Sequence, residues 1–138
     1  MRIFRSLENL PKFVNPVVTV GSFDGVHLGH QQSLEYVKEE KKKYEGESIV
    51  ITFHPHPQQV LHPEQDFFLI NTLEENIELI AAEEIDNLIV IPFTIAFSKL
   101  SFAHFLDFLT EKIGVKALVM GPNHNVGHNR EGNCKTMQ

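Results

Sequence analysis

Thr19-Val20-Gly21-Ser22-Phe23-Asp24-Gly25-Val26-His27-Leu28-Gly29-His30-Gln31 leads from a β-branched stretch, through glycines and two histidines, into a helical pattern. Val17 to Val20 read as a strand. Polar, glycine-punctuated residues directly after a strand sit where an open parallel sheet places its ligands, beyond the carboxyl end. His27 and His30 are spaced i, i+3, so they share one side of the first helical turn, whose free N–H groups also face an anion. Gly29 between them leaves room for backbone and phosphate to approach closely. The layout is that of a site for nucleotide phosphates.

Outward from this stretch, further apolar runs at Ile49 to Phe53, Leu88 to Ile91 and Ala117 to Met120 are short and bounded by polar or turn residues, as buried strands are. Helical patterns lie between them. One carries Leu34, Val37 and Tyr44; a second Leu73, Ile77, Ile80 and Ala81; a third Phe102, Phe105, Leu106, Leu109 and Ile113. Thr72 with Glu75 forms a capping box for the second helix, Ser101 is the N-cap of the third, and Gly114 ends it. Strands alternating with helices imply an α/β fold: an open parallel sheet with helices on both faces, joined by right-handed crossovers. The glutamate- and lysine-rich run from Glu39 to Lys43 reads as a solvated helix end.

That topology puts chemistry where the chain leaves each strand. Asp24 to His30 follows the first predicted strand, His54 to Pro57 of the block Thr52-Phe53-His54-Pro55-His56-Pro57 the second, Phe93 to Leu100 the third, and Asn123 to Arg130 the fourth. Four segments far apart in sequence would converge on one rim. The two prolines of the second block fix its backbone and give it a shaping role, with a rigid turn as the plainer reading of His54. Phe93 and Phe97 read either as rings stacking on a ligand or as core. Phe102 falls on the apolar face of the third helix and is assigned to the core.

Composition narrows the classes. A chain of 138 residues with 42% hydrophobic content buries one ordinary core, so a single domain over 1–138 is expected. A formal charge of −6 argues against a nucleic-acid partner, which calls for a basic face. Met1 to Leu10 lacks the apolar stretch of a signal peptide and no run approaches a membrane span, so a cytoplasmic protein without membrane contact is expected. Cys134 is the single cysteine, lies in a polar tail, and is not read as a nucleophile. Eight histidines include the pairs His54/His56 and His124/His128, yet no cysteine or HExxH pattern flanks them, and no protein-held metal is expected.

The first block matches the GxFDGxHxGH signature of the nucleotidyltransferase superfamily. Together with Thr52 to Pro57, Ile91-Pro92-Phe93-Thr94, Phe97-Ser98-Lys99-Leu100-Ser101 and Gly127-His128-Asn129-Arg130-Glu131-Gly132, it resembles the flavin-adenylylating domain of bacterial riboflavin kinase/FMN adenylyltransferases, the FAD synthetases. The resemblance runs from about Val17 to Gly132 and implies a Rossmann-like nucleotidyltransferase fold. It further implies transfer of AMP from ATP, accompanied by Mg2+, to FMN, giving FAD and pyrophosphate. His27 and His30 would then contact the phosphates and stabilise pyrophosphate departure. Gly21, Ser22, Phe23, Asp24, Gly25 and Gly29 would border the nucleotide. Phe53, His54, Pro55, His56, Asn123, Val126 and Arg130 would border the flavin or its phosphate.

Two departures qualify the likeness. Val126 stands where the family usually has a phenylalanine, which implies a weaker flavin contact, and Pro122 stiffens the entry to that loop. The family domain also continues through a further strand and an arginine-bearing segment that contacts ATP phosphates, then into a riboflavin-kinase barrel. The tail from Asn133 to Gln138 does not resemble that continuation, so riboflavin phosphorylation is expected to be absent. Two alternatives stay open on these residues: a nucleotidyltransferase with another acceptor, and a binding-only or truncated relative. An uncovered sheet edge would leave self-association open.

Overall fold

The computed structural model describes residues 1–21, 28–64 and 72–119, with the side chains of 28–30 and 58 outside the description. Five strands form one all-parallel sheet: β1 (Arg2–Phe4), β2 (Val17–Val20), β3 (Ser48–His54), β4 (Asn87–Pro92) and β5 (Ala117–Val119), in the order β1-β4-β3-β2-β5. The helices are α1 (Leu28–Tyr44), α2 (Pro57–Leu61), α3 (Leu73–Ala82), α4 (Ile95–Ser98) and α5 (Phe102–Lys112).

Strand side chains alternate between two apolar layers. Val18, Val20, Ile49, Ile51, Ile89, Ile91 and Leu118 pack with Phe102, Phe105, Leu109 and Ile113 of the α5 region. Val50, Leu88 and Val90 pack on the opposite face with Leu34 of α1 and Ile80 of α3. The chain therefore steps from β2 to β3 to β4 under α1 and α3, then returns past β2 to β5 under α5, as right-handed crossovers in opposite directions require. Near-continuous apolar strands follow from a sheet covered on both faces.

Local chemistry sets the helix ends. Thr72 and Glu75 make the reciprocal capping box that opens α3, and the Ser101 side chain accepts the His104 N–H at the start of α5. Ile113 caps α5, and Gly114 follows at φ +74, where its N–H donates to the carbonyls of Leu109 and Thr110. α1 ends in Lys41, Lys42 and Lys43, cations suited to a helix C-terminus. Gly46 then passes so close to Asn15 that a Cβ there would lie 2.0 Å from the Asn15 carbonyl oxygen.

The amino-terminal edge of the sheet is fastened by polar groups. Arg2 donates to Asn87 and Glu47, each at 3.0 Å; Glu47 also accepts the Val14 N–H at 2.7 Å; Asn87 donates to the Ser48 carbonyl at 3.2 Å. Asp86 accepts from Ser48 and pairs with Lys41 at 2.7 Å. These bonds explain why β3 and β4 begin at a serine and an asparagine rather than at the apolar Ile49 and Leu88. Ala81 is exposed rather than on the core face of α3, and Asn76 lies inward instead. The stripe of Leu73, Ile77 and Ile80 is centred between those two positions, so each sits on a flank.

Candidate active site

Because all five strands are parallel, their carboxyl ends share one edge. The strand order reverses between β2 and β5, and that switch point is where open α/β sheets form their ligand crevice. Gly21 continues β2 by one residue, its N–H donating to the Ile51 carbonyl at 3.0 Å. α1, which enters the adjoining layer, begins at Leu28, so Gly29 and His30 belong to its first turn. The N–H groups of a first helical turn carry partial positive charge and have no intrahelical acceptor, which suits a phosphate. Ser22, Phe23, Asp24, Gly25 and His27 lie outside the described residues, as do Asn123, Val126 and Arg130 beyond β5.

Thr19, two positions before Gly21, is fully buried on β2, and its hydroxyl has no hydrogen-bond partner among the described residues.

The second block closes β3. Phe53 is half-buried against the layer under α5, whereas His54 and Pro55 are exposed. The His54 carbonyl accepts the Phe93 N–H at 3.1 Å, carrying the β3–β4 pairing one residue past the end of β4. The His56 carbonyl accepts from Gln59 and Val60 at 2.9 and 3.3 Å and so opens α2. Phe93 and Phe97, left open between core and ligand contact by their sequence, join Phe53: the three ring centroids lie 5.7 to 5.8 Å apart. The sequence signal for them was the spacing of aromatics immediately after a predicted strand.

Three of the four expected segments thus reach one edge within the described residues, the first through Gly21 and the start of α1. A shallow depression elsewhere, between α1 and the end of α3, is lined by Gln31, Gln32, Glu35 and Glu83. Lys38 bridges Glu35 at 2.7 Å and Glu83 at 3.7 Å there, leaving no cation uncommitted to meet a phosphate in that lining. No group of three or more metal-ligating side chains occurs among the described residues. No helix among them is long and apolar enough to cross a membrane.

A solved structure titled as a macrolide-efflux protein from Streptococcus pneumoniae superposes with a TM-score of 0.81 over 94% of this chain and 43% of its own, at 23% identity, a likeness of fold alone. The chain is 31% identical over 140 residues to the bifunctional riboflavin kinase/FMN adenylyltransferase of Buchnera aphidicola subsp. Acyrthosiphon pisum, covering 100% of this chain and 45% of that one. The enzyme of the same name from Escherichia coli K12 is 29% identical with the same coverage, and that from Listeria monocytogenes 34% identical over 86% of this chain and 38% of its own. This chain therefore spans less than half the length of these curated relatives. The family model described as FAD synthetase matches residues 11–138. With its motif-bearing strand exits on one edge of a parallel sheet, the chain belongs to the FAD synthetase family.

Proposed function

We propose that this chain transfers the adenylyl group of MgATP to the phosphate of FMN, releasing pyrophosphate and forming FAD. The observation that carries the reading is the family match over residues 11–138, in which the GSFDGVHLGH motif begins at the exit of β2, at the sheet's switch point. A phosphate oxygen of FMN attacks the α-phosphorus of ATP. The bond from that phosphorus to the oxygen bridging to the β-phosphate breaks, and the electron pair leaves on pyrophosphate. The FMN phosphate is already ionised near neutral pH, so no strong base is required, and the protein's work is alignment and charge stabilisation.

In this reading His27 and His30 donate to phosphate oxygens where charge builds on the leaving group. The first-turn N–H groups of α1 add to them, and Gly21, Ser22, Phe23, Asp24, Gly25 and Gly29 border the nucleotide. Phe53, His54, Pro55, His56, Asn123, Val126 and Arg130 border the flavin or its phosphate. Magnesium arrives as part of the nucleotide, since it prefers phosphate oxygens and water to imidazole. A cytoplasmic setting belongs to the same reading.

The test is chromatographic detection of FAD after incubation of the purified chain with FMN and MgATP. FAD formation is expected. Binding of both substrates without FAD would reduce the reading to a nucleotide- and flavin-binding module, and turnover with an acceptor other than FMN would replace it.

A further inference from the structure

The exits of β3 and β4 are braced by rings that the chemistry of adenylyl transfer does not itself require. Phe53, Phe93 and Phe97 form a closed triangle, and Phe97 extends it to Phe105, with ring centroids 5.6 Å apart and an interplanar angle of 86°. Phe105 is 2% exposed in the core under α5, whereas the three rings of the triangle are only half-buried. Phe97 therefore ties the triangle to the core through a ring contact, beside Phe53, which packs on the same cluster. Its own backbone is held: the Thr94 side chain accepts the Phe97 N–H at 3.0 Å, and α4 packs against α2, the helix opened by His56.

Edge-to-face contacts such as those of Phe93 with Phe53 and Phe97 are directional, and Phe53 meets Phe97 at a tilt of 53°, so a ring held by two others has few orientations open to it. Without Phe97, Phe53 and Phe93 keep only each other within the triangle. We propose that Phe97 is a positioning residue for the acceptor: by bracing Phe53 and Phe93 it fixes an apolar wall for a planar aromatic ring system. The inference rests on the reading of FMN as acceptor and extends it to a residue on a four-residue helix. The nucleotide end is assigned to the β2 exit, on the far side of β3 from β4, so the effect falls on one substrate.

The experiment compares steady-state constants of Phe97→Leu, Phe97→Tyr and Phe102→Leu with the parent. Phe102 lies in the same buried cluster on α5, and its loss costs core packing without removing a ring of the triangle. Phe97→Leu is expected to raise KM for FMN about three- to tenfold, with KM for ATP and kcat changed by less than about twofold. Phe97→Tyr, which keeps the ring, should restore the parent value, and Phe102→Leu should lower Tm without moving KM for FMN. A parallel rise of both KM values in Phe97→Leu, an equal FMN effect in Phe102→Leu, or no effect would overturn the inference. Quenching of FMN fluorescence on binding separates this from the catalytic reading. A parent that binds FMN but makes no FAD refutes the reading, while weaker FMN binding in Phe97→Leu than in Phe102→Leu still supports the inference. A parent that binds no FMN overturns both.

Discussion

The Asp86 carboxylate links α1, β3 and the start of β4 through Lys41 and Ser48. Burial pushes its pKa up, but hydrogen bonds and charge from Lys41 and hydrogen bonds from Ser48 outweigh that and hold it below the usual carboxylate value. A depressed carboxylate stabilises the fold above its unfolded pKa and loses that contribution as pH falls through the folded value. Asp86→Asn should therefore cost about 1 kcal/mol at pH 7, the difference from the parent shrinking below about pH 4, as thermal melts at several pH values would show. Gly46→Ala should cost about 2 kcal/mol or more, because the new Cβ meets backbone rather than a side chain that could turn away. A normal melt for that variant would mean that the Asn15 segment gives way easily. At the β2 exit, His27→Ala or His30→Ala should lower kcat by about 100- to 1000-fold with little change in FMN binding, the cost of one donor to a charged transition state. Equal losses in kcat and in binding would assign the histidines a structural role instead.

Elements with strong periodicity were legible in the sequence. β2 spans Val17–Val20 as its β-branched run indicates, and the α3 capping box follows from Thr72 and Glu75 alone. Thr72→Ala should remove about 1 kcal/mol of stability while leaving adenylyl transfer unchanged, since the capping bonds of Thr72 are exposed and stay within the first turn of α3. A drop in activity at constant stability would give the start of α3 a part in the chemistry beyond its cap. β1, α2 and α4 went unread because elements of three, five and four residues show too little of either period. β1 holds through partners far away in sequence, the Asp86 carbonyl and the side chains of Asn87 and Glu47, and no local pattern announces those. Phe93 and Phe97 stayed ambiguous for a related reason: composition does not distinguish a buried ring from a rim ring, and only the fold brings them to Phe53.

Across the whole molecule the two edges of the sheet divide the work. The amino-terminal edge is closed by Arg2, Glu47, Ser48, Asp86, Asn87 and Lys41, which bond to one another and, through Glu47, to the Val14 N–H. The carboxyl-terminal edge carries glycine, histidine, proline and phenylalanine from separate strand exits, and a parallel sheet with one reversal of order brings them together. The exits of β2, β3 and β4 could therefore be assigned to one rim from the sequence, whereas the contacts that brace the rim needed the fold. In the proposed function this edge moves an adenylyl group from ATP to FMN. Its most direct test is to supply ATP labelled at the α-phosphorus together with FMN and Mg2+, and to follow the label in the parent and in a His27→Ala/His30→Ala double variant. Label in FAD, one pyrophosphate released per FAD formed, and near-complete loss in the variant are expected; label remaining in ATP with the parent, or passing to water instead of FMN, would rule the transfer out.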